Sequence, residues 1–331
     1  MPATASDAPP LNLETEQTGK LDRTAWVLRL DRMRIRAFEG QRPVVTVALD
    51  RPFALSLVQG TTKDGFPSAA ATEDITLNLR VDRLGVHQVR PWIAMTGSHM
   101  LAAAHGGVLD TDVKVRLKGI DDIAVAGRVD LDRVTFKRET THSRVPVTLE
   151  TEIRASVAGG SRMSFDSWTI KALDRSRPLA QVRLSGSADV GGATDLVIDV
   201  NIGDVSDLVD RLGLLTERQR QMISGGHLTG DVRVVGAGPD QPMTIKAGLR
   251  AATLRIRLDK THKITRTLGV LADVEIDGAR TIANIRRIEV STESDNTKAG
   301  TLLASGRWPL TSRAAMTTAA SMRVAFSIWK G

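Results

Sequence analysis

Apolar and polar residues alternate at every second position through most of this chain of 331 residues. The clearest runs are WVLRLDRMRIRAF (Trp26–Phe38), ITLNLRV (Ile75–Val81), VKVRLK (Val113–Lys118) and LRIRL (Leu254–Leu258). Successive side chains of a strand point to opposite faces of a sheet, so a period of two is typical of strands with one aliphatic and one solvated face. The sequence therefore predicts a mainly β protein with an antiparallel sheet.

One phrase of the sequence occurs twice. GGVLDTDVKVRLKG begins at Gly106 and GGHLTGDVRVVGAG begins at Gly225, 119 positions later. Each copy has a glycine pair, a Leu two residues after it and an Asp-Val-basic-Val core. The tetrapeptide ALDR likewise begins at Ala48 and again at Ala172. This recurrence predicts a unit of about 120 residues whose copies join edge to edge in an elongated sheet.

Two segments that end at the glycine pairs have helical character. VSDLVDRLGLLTERQRQMIS (Val205–Ser224) carries one apolar stripe and ends where a glycine C-cap is expected, although Gly213 weakens its middle. PWIAMTGSHMLAAAH (Pro91–His105) has proline at a position suited to the first helical turn. We expect one short helix in each repeat.

The chain is expected to have four parts. Residues 1–20 lack periodicity and are predicted to form a flexible N-terminal lead-in. Residues 21–144 form repeat one, residues 145–263 form repeat two, and residues 264–331 form a partial third repeat without a helix.

Composition excludes several classes of site. The chain has no cysteine, which rules out disulfides, thiolate metal sites and cysteine nucleophiles. Aromatic residues make up 3% of the chain, so its apolar surface is aliphatic and unsuited to stacking sugars or bases. A net charge of +7 permits phosphate-bearing partners, but the basic residues are spread along the chain. No run of about 18 apolar residues and no signal peptide is visible; we expect a cytosolic protein or a segment whose targeting region lies upstream.

No motif indicates catalysis. The six histidines lack metal-ligand spacing, and neither a Walker motif nor a G-x-S-x-G elbow occurs. The GAGP sequence at Gly236 precedes a predicted strand, so no helix N-terminus is available there for a pyrophosphate. Nucleic-acid motifs are also missing. We therefore predict no enzyme activity, no cofactor, no metal and no nucleic-acid partner, while an enzyme hidden on a β scaffold stays a third possibility.

The aliphatic face of so many strands needs a cover. Two helices of 15 to 20 residues span only about 25 to 30 Å each, which is too little to shield the whole sheet. Either the sheet closes on itself as a sandwich or barrel, or it curls into a gutter whose dry interior accepts acyl chains.

The order of these elements resembles that of the AsmA-like proteins of the bacterial envelope. The shared order is helix, glycine pair, alternating strand, G-x-G-x-x-x-P loop and a further strand, here running from Val205 to Ile256. The stretch IDGARTIANIRRIEVSTESDNTKAGTLLASGRWPL (Ile276–Leu310) is similar to the end of such chains. The resemblance covers most of residues 24–331 through loose patterns. It implies a curled, elongated β-groove in the periplasm that supports phospholipid transport to the outer membrane, tethered by a membrane helix that this sequence lacks.

The sequence thus predicts a non-enzymatic lipid-binding or lipid-transfer groove protein of the envelope, with a phospholipid or another acyl-chain lipid as its partner. Acyl chains require aliphatic walls, and Lys and Arg at the rims can meet phosphate groups. The alternative is a closed β-repeat protein with a structural or adhesive role, in which the same residues form a sandwich core. The candidate groove-floor residues are Leu77, Leu79, Val81, Val113, Val115, Leu117, Val232, Val234, Leu254, Ile256 and Leu258.

Overall fold

The structure is a computed structural model. It describes residues 11–22, 27–61, 67–71, 74–88, 103–118, 121–138, 141–143, 145–190, 192–238, 240–257, 263–279, 281–294, 297–310 and 322–328. The described chain is mainly β, with antiparallel strands and short helices. It divides into unit 1, Met1–Val134 with Thr148–Arg162, and unit 2, Thr135–Val147 with Met163–Gly331.

Unit 1 contains ten strands among its described residues. They are β1 (Leu11–Asp22), β2 (Val27–Glu39), β3 (Arg42–Leu49), β4 (Phe53–Thr61), β5 (Pro67–Ala71), β6 (Ile75–Gly85), β7 (Ala104–His105), β8 (Val108–Lys118), β9 (Asp122–Phe136) and β10 (Val147–Ala158).

The sheet of unit 1 is antiparallel and open. Its main order is β1, β2, β3, β6, β8, β9 and β10. β2 also pairs with β4, which pairs with β5, while β7 pairs with β9. A buried cluster of Val44, Val81 and Leu84 lies where β3 meets β6.

Residues 11–20 differ from the sequence-based expectation of a flexible lead-in. They belong to β1, which pairs antiparallel with β2 along its whole length, for example Thr15 with Ile35. The strand has little apolar alternation of its own, and Leu13 is exposed. Its order comes from the backbone edge and the ion pairs that β2 offers, such as Arg32 with Glu16 at 2.9 Å; single-strand periodicity does not reveal these.

Unit 2 contains ten further strands and two helices among its described residues. They are β11 (Arg162–Asp174), β12 (Arg177–Asp189), β13 (Thr194–Ile202), α1 (Val205–Arg211), α2 (Glu217–Met222), β14 (Ile223–Ser224), β15 (His227–Gly236), β16 (Met243–Arg257), β17 (Lys263–Ile276), β18 (Ile282–Ser294), β19 (Thr297–Pro309) and β20 (Met322–Ile328).

The sheet of unit 2 is also antiparallel and open. Its order is β11, β12, β13, β15, β16, β17, β18, β19 and β20, and no described pairing connects β20 back to β11. The short β14 pairs with the end of β16. Apart from β14, each strand pairs with the strands before and after it, so the pairing follows chain order.

The predicted single helix over Val205–Ser224 is wrong in its extent. α1 ends at Arg211 and α2 begins at Glu217, and the last two residues form β14. Gly213 lies between the helices with φ of +62°, a left-handed conformation that ends a helix. A Cβ on this glycine would lie 2.9 Å from the Ser143 nitrogen, so a neighbouring segment also fills the space that a side chain would need.

The other predicted helix, Pro91–His105, lies largely outside the described residues. Val86–Gln88 are helical, and Ala104–His105, which the prediction placed in the helix, form β7. The prediction is therefore wrong at its C-terminal end, where pairing with β9 overrides the high helix propensity of the alanines.

Buried arginines hold α1 and α2 to the rest of unit 2. The Arg211 side chain, 8% exposed, lies 2.8 Å from the Asp207 carboxylate, 3.0 Å from that of Asp174, and donates to the Pro146 carbonyl at 3.0 Å. Arg220 pairs with Asp210 on α1. These charge-assisted contacts fix both helices at one end of the sheet.

Candidate functional site

The two glycine pairs have matching local geometry. Gly106 and Gly107 have φ of +72° and +87°, and Gly225 and Gly226 have φ of +70° and +103°. The Val86 nitrogen donates to the Gly107 carbonyl at 3.1 Å, and the Val205 nitrogen, 119 positions later, donates to the Gly226 carbonyl at 2.7 Å. In both places the start of a helical segment is bonded to the glycine pair, and a long strand begins directly after it.

The strand opposite each pair is also irregular at a matching point. Arg133 on β9 has φ of +53° and Thr253 on β16 has φ of +52°, both uncommon for residues other than glycine. The next residue faces the glycine pair: a Cβ on Gly107 would lie 3.0 Å from the Val134 Cα, and one on Gly226 would lie 3.0 Å from the Leu254 Cδ1. In each unit, a left-handed residue thus directly precedes a residue that lies against the glycine pair, through the backbone of Val134 in unit 1 and the side chain of Leu254 in unit 2.

In unit 1, the candidate residues of β6 and β8 lie on one face of the sheet. Leu79 is opposite Val113, and Leu77 is opposite Val115. On β3, the residues opposite Leu77, Leu79 and Val81 are aliphatic. On β9, the residues opposite Val113, Val115 and Leu117 are Gly127 and two aliphatic residues. The unit 1 face consists of Val45, Val47, Leu49, Ile75, Leu77, Leu79, Val81, Val113, Val115, Leu117, Ile123, Val125 and Val129.

In unit 2, the face that contains Val232 and Val234 is wider. Cross-strand pairing places residues of β12 to β19 in rows, such as Leu184, Ile198, Val232, Ala247, Ala272, Ile288 and Ala304 in register order. A second row has Leu196, Val234, Ile245, Val274 and Ile285, and a third has Val182, Val200, Leu249, Val270, Val290 and Leu302. These three rows are called the unit 2 face.

The two faces differ in how far they are covered. In unit 1, Val81 and Val113 are each 9% exposed. Val81 belongs to the buried cluster with Val44, and Leu79 packs against that cluster. In the unit 2 face, the rows are half-buried apart from Ala304, which is 5% exposed. Among the described elements, α1 and α2 pack near β12, β14 and β16, while the main contacts of β17 and β18 are with neighbouring strands. The unit 2 face is thus the larger accessible apolar surface.

Three candidate residues stand apart from these rows. Leu254 follows the irregularity at Thr253, is half-buried and pairs with Arg266 on β17. Ile256 pairs with Ile264 through its backbone, but its side chain lies outside the described residues, as does the whole of Leu258. The structure therefore gives no side-chain position for these last two candidates.

The opposite face of unit 1 carries cross-strand ion pairs. The Lys114 Nζ lies 2.7 Å from the Asp50 carboxylate, which also accepts from the Asn78 amide at 3.1 Å. These contacts hold the pKa of Asp50 below its usual value, and the hydrogen bond from Lys114 is the main cause. Arg116 pairs with Asp74 and lowers the pKa of that carboxyl in the same way.

Unit 2 repeats this arrangement on its own polar face. The Arg233 guanidinium contacts Asp195 at 3.1 Å, which raises the pKa of Arg233, and Arg250 contacts Glu293 at 2.9 Å. Arg233 lies between Val232 and Val234 in the sequence, so the ion pair and the aliphatic rows occupy opposite sides of the same strand.

An acidic depression lies on the polar face of unit 1. It measures about 160 Å³ and is lined by Arg80, Val81, Asp82, Asp110, Thr111, Asp112, Arg128 and Asp130. At the side of this depression, the Arg128 guanidinium forms ion pairs with Asp130 at 2.6 Å and Glu150 at 2.9 Å. The hydrogen bond to Asp130 is the main cause that raises the pKa of Arg128. Within the described residues, no group of three His, Asp or Glu side chains has an arrangement suited to a metal ion.

Sequence reasoning named only part of the unit 2 face. It missed the contributions of β13, β17, β18 and β19, including Ile198, Val270 and Val290. The alternation of β13 is visible in LVIDVNI and that of β17 in LGVLADVEI, but only strand order reveals that they line up with Val232 and Val234.

None of the helices in the described part of the chain combines the length and the apolar character needed to cross a bilayer. Comparisons with protein-family models, with curated proteins and with solved structures found no match for this chain.

Proposed function

We propose that this chain is a non-enzymatic protein that binds acyl-chain lipids on the apolar faces of its sheet. The observation that carries the proposal is the unit 2 face: three aliphatic rows that run across β12 to β19, half-buried, in an open sheet. Removing such a surface from water is favourable by roughly 25 cal/mol per Å². A ligand that covers it would therefore be stabilised by its apolar area alone.

The chemistry of the face favours hydrocarbon chains over other ligands. Its rows consist of Val, Leu, Ile and Ala with almost no hydrogen-bonding groups, so it offers area without directional recognition. The charged residues, such as Arg233 and Asp195, neutralise one another on the opposite side. A flexible acyl chain has no polar groups that need hydrogen-bond partners on such a surface, whereas a peptide backbone or a sugar would bury polar groups without partners.

The recurrence of the glycine-pair geometry supports a repeating architecture. The bonds from Val86 to Gly107 and from Val205 to Gly226 are 119 positions apart, which agrees with repeat units of about 120 residues with one short helix each. We propose that the repeats form a curled β-groove and that the AsmA-like resemblance extends to function, namely phospholipid transport at the outer membrane from the periplasm. A closed sandwich without a channel is less consistent with an open antiparallel sheet.

Cysteine protection can test the lipid site directly. Since the chain contains no cysteine, a single introduced thiol reports on one position. We expect oleate to slow the reaction of a soluble maleimide with Val232→Cys and Val234→Cys several-fold, because a bound acyl chain would cover both side chains. The reaction of Asp231→Cys, Arg233→Cys and Val235→Cys, on the other face of β15, should keep its rate.

The pattern of protected positions along β15 decides between the possible results. Protection at every second position of β15 supports an acyl chain on the unit 2 face. Equal protection at all five positions indicates aggregation or unspecific binding, and no protection at Val232 and Val234 at saturating oleate contradicts the proposal. Circular dichroism of each variant shows that the sheet is intact.

A further inference from the structure

An exposed tryptophan stands at the end of the unit 2 face. Trp308 is 53% exposed and pairs with Ala283, which is 7% exposed. Trp308 has the same strand parity as Leu302 and Ala304 on β19, so it continues the apolar side of the sheet at its outer edge. Leu310, two residues later, is 45% exposed. Trp308 and Leu310 are called the Trp308 corner.

The corner is held rigidly by the turn between β17 and β18. The Asp277 carboxylate accepts from the Thr281 nitrogen at 2.7 Å and from the Ile282 nitrogen at 3.0 Å. The Leu310 nitrogen in turn donates to the Thr281 carbonyl at 2.8 Å. The chain therefore presents its exposed apolar side chains on a fixed turn, and no large ordering entropy is lost when they bind.

We infer that the Trp308 corner docks the protein on the surface of a phospholipid bilayer, with the Trp308 indole at the level of the headgroups. This inference rests on the proposed function, because the corner lies at the edge of the face that would hold the acyl chain. An acyl chain that leaves the bilayer beside Trp308 would pass onto aliphatic rows without crossing open water.

The residues at the corner match a bilayer interface. Indole combines a large apolar body with one N–H donor, which is why tryptophan is enriched where hydrocarbon meets water. Arg307, the residue before Trp308, is exposed at the same strand end, and its long side chain can reach phosphate groups.

The size of the corner argues against a protein partner. Its two side chains expose on the order of 200 Å² together. A stable interface between two proteins buries about 800 Å² on each side. A second copy of the chain would need additional apolar surface at this edge, whereas insertion into a bilayer does not depend on a matching shape.

Flotation with phosphatidylcholine vesicles tests the inference. We expect the wild-type chain to float with the vesicles and Trp308→Ala to partition roughly tenfold less. Trp308→Phe should keep most of the binding, and Leu310→Ser should lower it through an independent side chain. Leu271→Ala serves as the matched control, since Leu271 is 50% exposed but lies in the middle of the opposite face; its partitioning should equal that of the wild type.

Oleate protection of Val234→Cys without vesicles separates this inference from the proposed function. Trp308→Ala should keep that protection while it loses vesicle binding. The inference is overturned if the wild-type chain shows oleate protection but no vesicle binding, if Leu271→Ala loses as much binding as Trp308→Ala, or if Trp308→Ala changes the sedimentation coefficient in solution, which would indicate a second copy at the corner. Missing oleate protection in the wild-type background would instead contradict the proposed function.

Discussion

Val234 shows at the scale of one residue what distinguishes an open apolar face from a closed core. It lies between Leu196 and Ile245 in the unit 2 face and is half-buried. A carboxylate forced into a closed core would cost several kcal/mol, comparable to the stability of a whole domain. On an open face the same carboxylate reaches water.

We therefore expect Val234→Glu to fold normally and to lose bound lipid. Its melting temperature should change by less than about 4 °C, the shift that about 1 kcal/mol produces in a domain of this size. The equivalent Val115→Glu in unit 1 should behave in the same way. Val235→Glu places the same charge on the opposite face and should keep the lipid. Unfolding of both valine variants, or folded variants with undiminished lipid, would refute the assignment at these positions.

Asp50 provides a prediction about pH. Its pKa is lowered in the folded chain, chiefly by the bond from Lys114, so the ion pair contributes stability above the unfolded pKa near 3.8 and loses that contribution as the pH falls through the folded value. Asp50→Asn should slightly lower the melting temperature at pH 7 and have no effect well below pH 3.8. An equal effect at both pH values, measured by calorimetry, would show that charge is not involved.

At the scale of single elements, the glycine pairs are positions where a side chain is poorly tolerated. Gly107 has φ of +87°, and a Cβ on it would lie 2.7 Å from the Asp132 carbonyl. Gly40, in the turn between β2 and β3, has φ of +64° but open space around it. Gly40→Ala should cost about 1 to 2 kcal/mol from strain alone, and Gly107→Ala should cost clearly more in urea denaturation. Equal costs would mean that the close approach to β9 is relaxed in solution.

Arg211 tests the attachment of α1. Replacing it with alanine leaves Asp174 and Asp207 without their shared cation, and we expect a loss of about 3 kcal/mol, the low end for a broken buried pair because both carboxylates keep some contact with water. Arg177 contacts the same Asp207 at 3.4 Å with a side chain that is 67% exposed, so Arg177→Ala should cost less than about 1 kcal/mol. Similar losses in urea denaturation would contradict the anchoring role.

The elements also show which features a single sequence predicts. Alternation predicted β2, β6, β8, β15 and β16, because each has one aliphatic side. It did not predict the division between α1 and α2, where Gly213 is left-handed and lies against the backbone of Ser143, a residue distant in sequence. The strand β1 was missed because its order comes from β2. The full unit 2 face required strand order, which periodicity does not contain.

In the molecule as a whole, we propose that the apolar faces bind the ligand, while the ion-paired faces are in contact with solvent. Each unit has an open sheet with one aliphatic side, and the glycine-pair geometry occurs once in each unit. An aliphatic surface of this extent in contact with water is unfavourable, and surfaces of this kind usually mark binding sites. A lipid ligand accounts for its extent, its lack of polar groups and its accessibility together.

The most direct test is to ask whether the purified protein carries lipid. The chain should be purified without detergent, extracted with organic solvent and analysed by mass spectrometry against Val234→Glu and Val235→Glu prepared in parallel. We predict acyl-chain lipid in stoichiometric amounts with the wild-type chain and with Val235→Glu, and markedly less with Val234→Glu. An extract of the folded wild-type chain without lipid, together with no uptake of added phospholipid, would contradict lipid binding by this protein.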